Sequence, residues 1–359
     1  MGLAALIATA DALLLEDLRR LAAAAGAEIE VAHDADAAGA AWSRAPLVVV
    51  CQDLAGELAA RVPPRRAGVV VVLSDEDDES VFRAAVGLGA EHVVAVPGAE
   101  AWLVDTFAAA AEPPGPHAFG LCVVGGRGGS GASVFATVLG LTAARAGLRT
   151  LLVDGDPYGG GLDLLLGQED AHGARWPDLA ERTGRLSSAA LHESLPQVGG
   201  LSVLSWDRGP TEPIPVAAMR CVLDAAWRAY ALVVVDLARC LDAAAVEAVL
   251  ACSVVLIVVP AEVRAAVAAD RVAAGLRRHA SDVRVVVAGP APAGIGPDTV
   301  AAALGLPLAG VLTRDRRLAV AVEHGDLPSL RRRTRVAGLC DRLLTDFGLI
   351  DQRLPGEAA

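Results

Sequence analysis

Between Gly126 and Ser133 the chain reads Gly-Arg-Gly-Gly-Ser-Gly-Ala-Ser, where an apolar run (FGLCVVG) gives way to an Ala-rich one (ASVFATVLGLTAARAG). Gly126, Gly131 and Ser133 occupy the fixed positions of G-x-x-x-x-G-K-[ST], a loop pattern that wraps phosphate. Glycines there let backbone N–H groups turn inward at a helix N-terminus, which favours an anion without any side-chain charge. A hydroxyl at the Ser133 position is of the type that reaches Mg²⁺. Ala132 stands where the pattern has lysine. Carboxylates suited to the same chemistry follow downstream. Asp154 and Asp156 form a D-x-D in LLVDGDPYGGGLDLLLG, Asp163 follows the triple glycine, and Asp236 closes the apolar run YALVVVD. Each of these acids could instead cap a turn or helix. A D-x-D at the C-terminal edge of a strand, however, lies where ligands bind in open α/β sheets. An apolar strand ending in Asp236 suits an acid holding Mg²⁺ through water.

The elements that must position these residues are legible in the hydrophobic pattern. From residue 119 onward, FGLCVVGG is a buried strand, followed by the glycine loop and a helix ending at Gly147. LRTLLVDGD, GGLSVLSW, YALVVVDLA, SVVLIVVP and VRVVVAGP are further strands, LPLAGVLTRD adds one more, and DRLLTDFGLI reads as a closing helix. Upstream, LAALIAT, AEIEVAHD, PLVVVC, GVVVVLS and HVVAVP alternate with helical segments, a spacing that predicts a parallel, doubly wound sheet. Between the halves lies AEPPGPHAFG, with prolines and glycines concentrated in a short stretch. The expected organisation is a first domain over 1–111, a linker over 112–118, a second domain over 119–347 and a tail over 348–359.

Composition limits what such a protein does. Hydrophobic residues make up 54% and aromatics 3%, so the core is built of Val, Leu and Ala, as in parallel sheets flanked by helices. No apolar run reaches the roughly 20 residues of a membrane span, and the N-terminus lacks a basic leader. The six cysteines are scattered and read as reduced thiols of a cytoplasmic protein. A net charge of −12 argues against a chain dominated by nucleic-acid binding. The local exception, Arg331–Arg333 with Arg335, reads as a solvated helix start or as a patch for DNA or anionic lipid. Lys and Asn are absent altogether. Arg replaces Lys where charge alone is needed, so a site that became Ala has given the charge up.

The order of the first domain resembles a response-regulator receiver, a flavodoxin-like fold. Asp53 lies just after the third strand, where receivers are phosphorylated. Thr9, Ala10 and Asp11 stand where an acidic pair is expected, and Val96-Pro97 where a lysine is expected. Without the Mg²⁺ ligands and the cation, a pseudo-receiver used for docking is expected.

The second domain, from Phe119 to Phe347, resembles the MinD/ParA family of deviant-Walker P-loop ATPases. The family loop K-G-G-x-G-K-[ST] matches Arg127, Gly128, Gly129, Ser130, Gly131, Ala132 and Ser133 without a gap. The likeness implies ATP or ADP bound with Mg²⁺ by Gly126 through Ser133 and by Val134. It implies Mg²⁺ ligation by Ser133, Asp154 and Asp236, water orientation by Asp156, and a nucleotide-sandwich homodimer in which Arg127 reaches the partner's nucleotide. A degenerate receiver joined to such an ATPase looks like the CpaE/TadZ branch, and DPYGGGLDLLLG with RWPDLAERTGRL looks like CpaE-like proteins of high-GC Gram-positive bacteria. Those are linked to septum-site determination and Flp-type pilus secretion. The family's adenine-contacting Asn is replaced by Gly289 or Pro290, and the tail carries acids in place of a basic amphipathic helix, which argues against direct membrane insertion.

Three functions follow as expectations. One is a spatial scaffold for division or secretion machinery, binding ATP weakly or as a pseudo-ATPase and recruited through protein partners to the pole, septum or inner face of the membrane. Another is a working ATPase with Arg127 replacing the loop lysine. The third is a ParA-like DNA switch using the Arg331–Arg335 cluster.

Overall fold

The computed structural model describes residues 4–61, 63–74, 79–111, 118–180, 186–210, 212–289, 295–329 and 334–351. Most of the linker, Arg331–Arg333, Pro290 and the tail beyond Asp351 lie outside them. The chain divides into two compact units, one formed chiefly by residues 1–115 and one by 116–182 with 188–359.

The first unit alternates β1 (Ala5–Ala8), α1 (Ala12–Ala24), β2 (Ile29–Ala32), α2 (Ala35–Ala41), β3 (Val48–Cys51), α3 (Gln52–Ala60), β4 (Val69–Leu73), α4 (Glu79–Leu88), β5 (His92–Ala95) and α5 (Glu100–Ala111). Its strands form one parallel sheet in the order β2-β1-β3-β4-β5. Because side chains alternate across a strand, the Val-rich runs serve two cores. Val48, Val50, Val69 and Val71 pack with Trp42 and Leu58, whereas Val49, Val70 and Val72 pack with Leu18, Leu103 and Phe107. Helix α2 is hard to see in the pattern because its buried face is only Ala35, Ala38 and Ala41.

The second unit runs β6 (Phe119–Gly125), α6 (Ala132–Arg145), β7 (Thr150–Gly155), α7 (Leu162–Leu165), α8 (Trp176–Ala180), α9 (Ser188–Ser194), β8 (Gln197–Val198), β9 (Leu201–Leu204), α10 (Val216–Ala229), β10 (Leu232–Leu237), α11 (Ala243–Ala251), β11 (Val254–Pro260), α12 (Val263–Leu276), β12 (Val283–Gly289), α13 (Pro297–Leu304), β13 (Leu308–Thr313), α14 (Arg316–Glu323) and α15 (Arg335–Asp346). The sheet order is β13-β12-β11-β6-β10-β7-β9-β8. Every pairing is parallel except β8 with β9 at the edge. The closing helix starts well before DRLLTDFGLI, because the Thr334 hydroxyl accepts from the Ala337 N–H and caps α15 there. Helix α6 buries ten consecutive-turn residues, Phe135 and Leu139 among them, which locks the helix behind the glycine loop into the core.

Strand order decides the geometry of the site. β10 inserts between β6 and β7, so Asp236 lies in register with Val123 on one side and Asp154 on the other. The ends of β6, β7 and β10 thus bring the glycine loop, the D-x-D and Asp236 to one edge.

Candidate phosphate-binding site

The loop leaves β6 through a passage that admits no side chain. A Cβ on Gly126 would stand 2.8 Å from the Ala269 Cβ and 2.9 Å from Val259 Cγ2. At the far end Gly131 is the N-cap of α6 with φ +87, in the left-handed region that favours glycine, and it supplies no side-chain acceptor to the helix. Gly128, Gly129 and Ser130 complete the turn between them, Ser130 being buried. Ala132 is 8% exposed and joins the hydrophobic core. The lysine position has therefore become packing. Ser133 is half-buried in the first turn of α6, and its hydroxyl is near enough to the Asp236 carboxylate to favour its charged form. Val134 lines the adjoining cleft.

The acids divide into different roles. Burial pushes Asp236 up to about 7, against the nearby Ser133 hydroxyl and with the neighbouring Asp154 and Asp156 charges adding to the shift. Burial likewise pushes Asp154 up to about 6. That happens although Asp154 accepts from the Leu162 N–H at 2.9 Å, the Ser205 hydroxyl at 2.8 Å and the Asp156 N–H at 3.3 Å. Two buried carboxylates on adjacent strands resist being charged together, and a divalent cation relieves both. Their oxygens, with the Ser133 hydroxyl, are the hard donors that Mg²⁺ takes, so the residues fit that ion. Asp156 is half-buried and accepts from the Tyr158 N–H at 3.0 Å. Asp163 is buried and its Oδ1 stands 2.5 Å from the point where a Gly161 Cβ would be, so only a glycine fits there. The Asp163 carboxylate is held by Arg208 Nη2 at 3.1 and 3.0 Å and by the Ser205 hydroxyl at 3.4 Å.

Arg127 does not project freely. Its Nη2 donates to both Glu262 oxygens at 3.0 Å, at the N-cap of α12, and its Nε is buried without a partner. Arg127, Glu262 and Val134 line a cleft of about 480 Å³ whose far wall includes Gly289, Thr313 and Arg314. Gly289 is paired with Thr313 across β12 and β13 and presents no side chain; Pro290, the other position expected in place of the adenine-contacting Asn, lies outside the described residues.

Ser205, Arg208 and Glu262 escape a reading by motif. Ser205 and Glu262 lie within two residues of a strand end, in LSVLS and VVPAEV, and Arg208 lies four past β9 in SWDR; a polar residue after an apolar run is the only signal of them. In the first unit, Asp53 opens α3 and is enclosed by donors. The Thr9 hydroxyl reaches it at 3.0 Å, the Ala10 N–H at 2.6 Å and the Asp11 N–H at 3.2 Å. Asp11 caps α1 through the Leu13 and Leu14 N–H groups.

Fold and sheet order together define a CheY-like domain followed by a P-loop NTPase domain of the MinD/ParA type. Residues 8–118 match the family described as "Rv3660c-like, CheY-like N-terminal domain". The uncharacterized protein Rv3660c of Mycobacterium tuberculosis is 39% identical over 337 residues, spanning 92% of this chain and 94% of its own length. The chain belongs to this Rv3660c-like family. A putative septum site-determining protein MinD of Nephroselmis olivacea is 26% identical over 235 residues, 64% of this chain and 86% of that protein. Among solved structures, a ParA family ATPase from Chlorobium tepidum superposes with a TM-score of 0.57 at 16% identity, covering 64% of this chain and 98% of its own. MinD of Pyrococcus horikoshii, complexed with Mg-ADP, gives 0.54 at 18% identity, covering 64% and 96%. At those identities the structures establish the fold.

Proposed function

We propose that the second domain binds ATP or ADP with Mg²⁺ and acts as a nucleotide-responsive scaffold that positions division machinery, with little or no hydrolysis. The observation that carries this reading is the loop itself. Its glycine geometry and the nearness of Ser133 to Asp236 support a phosphate cradle, while Ala132, at the lysine position, packs into the core and brings no charge. Ser133, Asp154 and Asp236 would hold Mg²⁺, which supplies charge neutralisation at the phosphates. Among the described residues no group of three or more His, Cys, Asp or Glu converges on a metal site. Phosphate and water would therefore complete the shell. Removing one preorganised donor from a transferring phosphoryl group costs on the order of 3 kcal/mol, which slows turnover more than it weakens ground-state binding.

The septum-site part of the reading draws on the MinD relatives, and the Flp-type pilus alternative rests on the CpaE/TadZ resemblance alone. Homodimerisation, and recruitment by protein partners to the pole, septum or membrane face, belong to the same proposal. Among the described residues no helix is long and apolar enough to cross a membrane. Arg127 as a substitute lysine is disfavoured by its pairing with Glu262. The DNA-switch alternative rests on Arg331–Arg333, which lie outside the described residues.

Calorimetry with ATP and ADP tests the reading. Wild type should bind, A132K should bind about tenfold tighter or better, and turnover should be no faster in wild type than in D156A. Turnover abolished by D156A would defeat the scaffold view in favour of a working ATPase. No binding of either nucleotide at millimolar concentration would remove the nucleotide.

A further inference from the structure

Arg239 lies three residues beyond Asp236, just past the end of β10. It is exposed, and among the described residues no hydrogen bond or ion pair engages it. Its Nη2 stands 4.0 Å from the point where a Gly128 Cβ would be. A guanidinium with no partner among the described residues therefore stands beside the glycine loop at Gly128. The other nearby cations are differently placed. Arg127 is held by Glu262, and Arg314 and Arg316 line the cleft beside Asp315 and Glu323.

We infer that Arg239 supplies the positive charge that Ala132 no longer provides, binding the phosphoryl oxygens of a ligand held in the Gly126–Ser133 loop. The inference rests on the phosphate reading proposed above and names the residue that makes it work. A guanidinium offers a planar fork of donors that matches two phosphate oxygens, and it stays charged at every physiological pH. Gly128 matters because any side chain there would meet the guanidinium in van der Waals contact. Arg239 and Asp236 share one strand end, so the charge for the phosphate and the acid for its cation are positioned by β10 together.

The test is calorimetry of the full chain with Mg-ATP and with inorganic tripolyphosphate, on wild type, R239Q, R239K and R239Q combined with A132K. R239Q should weaken both ligands at least tenfold, R239K should fall between, and thermal melting should be unchanged because the side chain has no partner to lose. With A132K present, the effect of R239Q should shrink to under threefold, since the lysine restores the missing charge. Wild-type binding with equal affinity in R239Q overturns the inference and leaves the phosphate site standing. A loss of the same size in the A132K background also overturns it, because a diffuse field effect would add rather than substitute. Wild type binding neither ligand at millimolar concentration overturns the phosphate reading and this inference with it.

Discussion

At the scale of single residues, Asp154 and Asp236 set the sign of a measurable pH dependence. Folded, they titrate at about 6 and about 7; unfolded, an aspartate titrates near about 3.9. Between roughly pH 4 and pH 7 the folded protein thus holds more protons than the unfolded chain, and stability falls as pH rises through that window. One pKa unit is worth about 1.4 kcal/mol, so the two sites together withdraw up to about 7 kcal/mol by pH 8. Metal-free wild type should lose melting temperature relative to D236N between pH 4 and pH 8. Mg²⁺ should raise the wild-type melting temperature at pH 8 and have little effect at pH 5. Parallel curves for the two proteins would show that Asp236 is not the titrating group. The identity of these acids was legible in DGD and VVVDLAR. Their burial and mutual repulsion were not, because these depend on which strand lies beside which.

At the scale of elements, a short polar network holds the segment between β7 and α7, and Gly161 leaves room for it. Asp163 is 3% exposed, while Arg208 is half-exposed. Replacing Arg208 with Ala leaves a buried carboxylate unpaired, a change costing several kcal/mol when both partners are buried and less when water reaches one of them. We expect R208A to lose about 1–2 kcal/mol by urea denaturation, and R208A combined with D163N to recover most of it. If the double variant is no more stable than the single one, the network is not what holds the segment. Helix α6 was readable in advance from its glycine loop and Ala-rich run. Helices α2 and α15 were less so. An all-alanine buried face leaves little periodicity to detect in α2, and the start of α15 depends on one Thr334 hydrogen bond.

At the scale of the molecule, each unit carries hydrophobic core of its own. Two clusters of the first unit draw on residues between Ala5 and Ala110, and one cluster of the second on residues between Phe119 and Ile350. A fragment of residues 1–115 should therefore fold alone, with a cooperative melt and the circular dichroism of an α/β domain. A disordered fragment would show that the second unit is needed to complete it. In the first unit the receiver-like topology is present, but the pocket around Asp53 has been rebuilt. The Ala10 and Asp11 N–H groups and the Thr9 hydroxyl satisfy its carboxylate directly, and Asp11 is committed to capping α1.

The sequence alone determined the parallel α/β class, the glycine loop and its missing lysine, because hydrophobic period and residue type are local properties of a chain. The tertiary structure alone decided what the loop's neighbours are. Inserting β10 between β6 and β7 sets Asp236 beside Asp154 and carries Arg239 over Gly128. The fold of α12 against the loop ties Arg127 to Glu262. Such contacts join residues far apart along the chain, and strand order, which no local pattern encodes, is what brings them together.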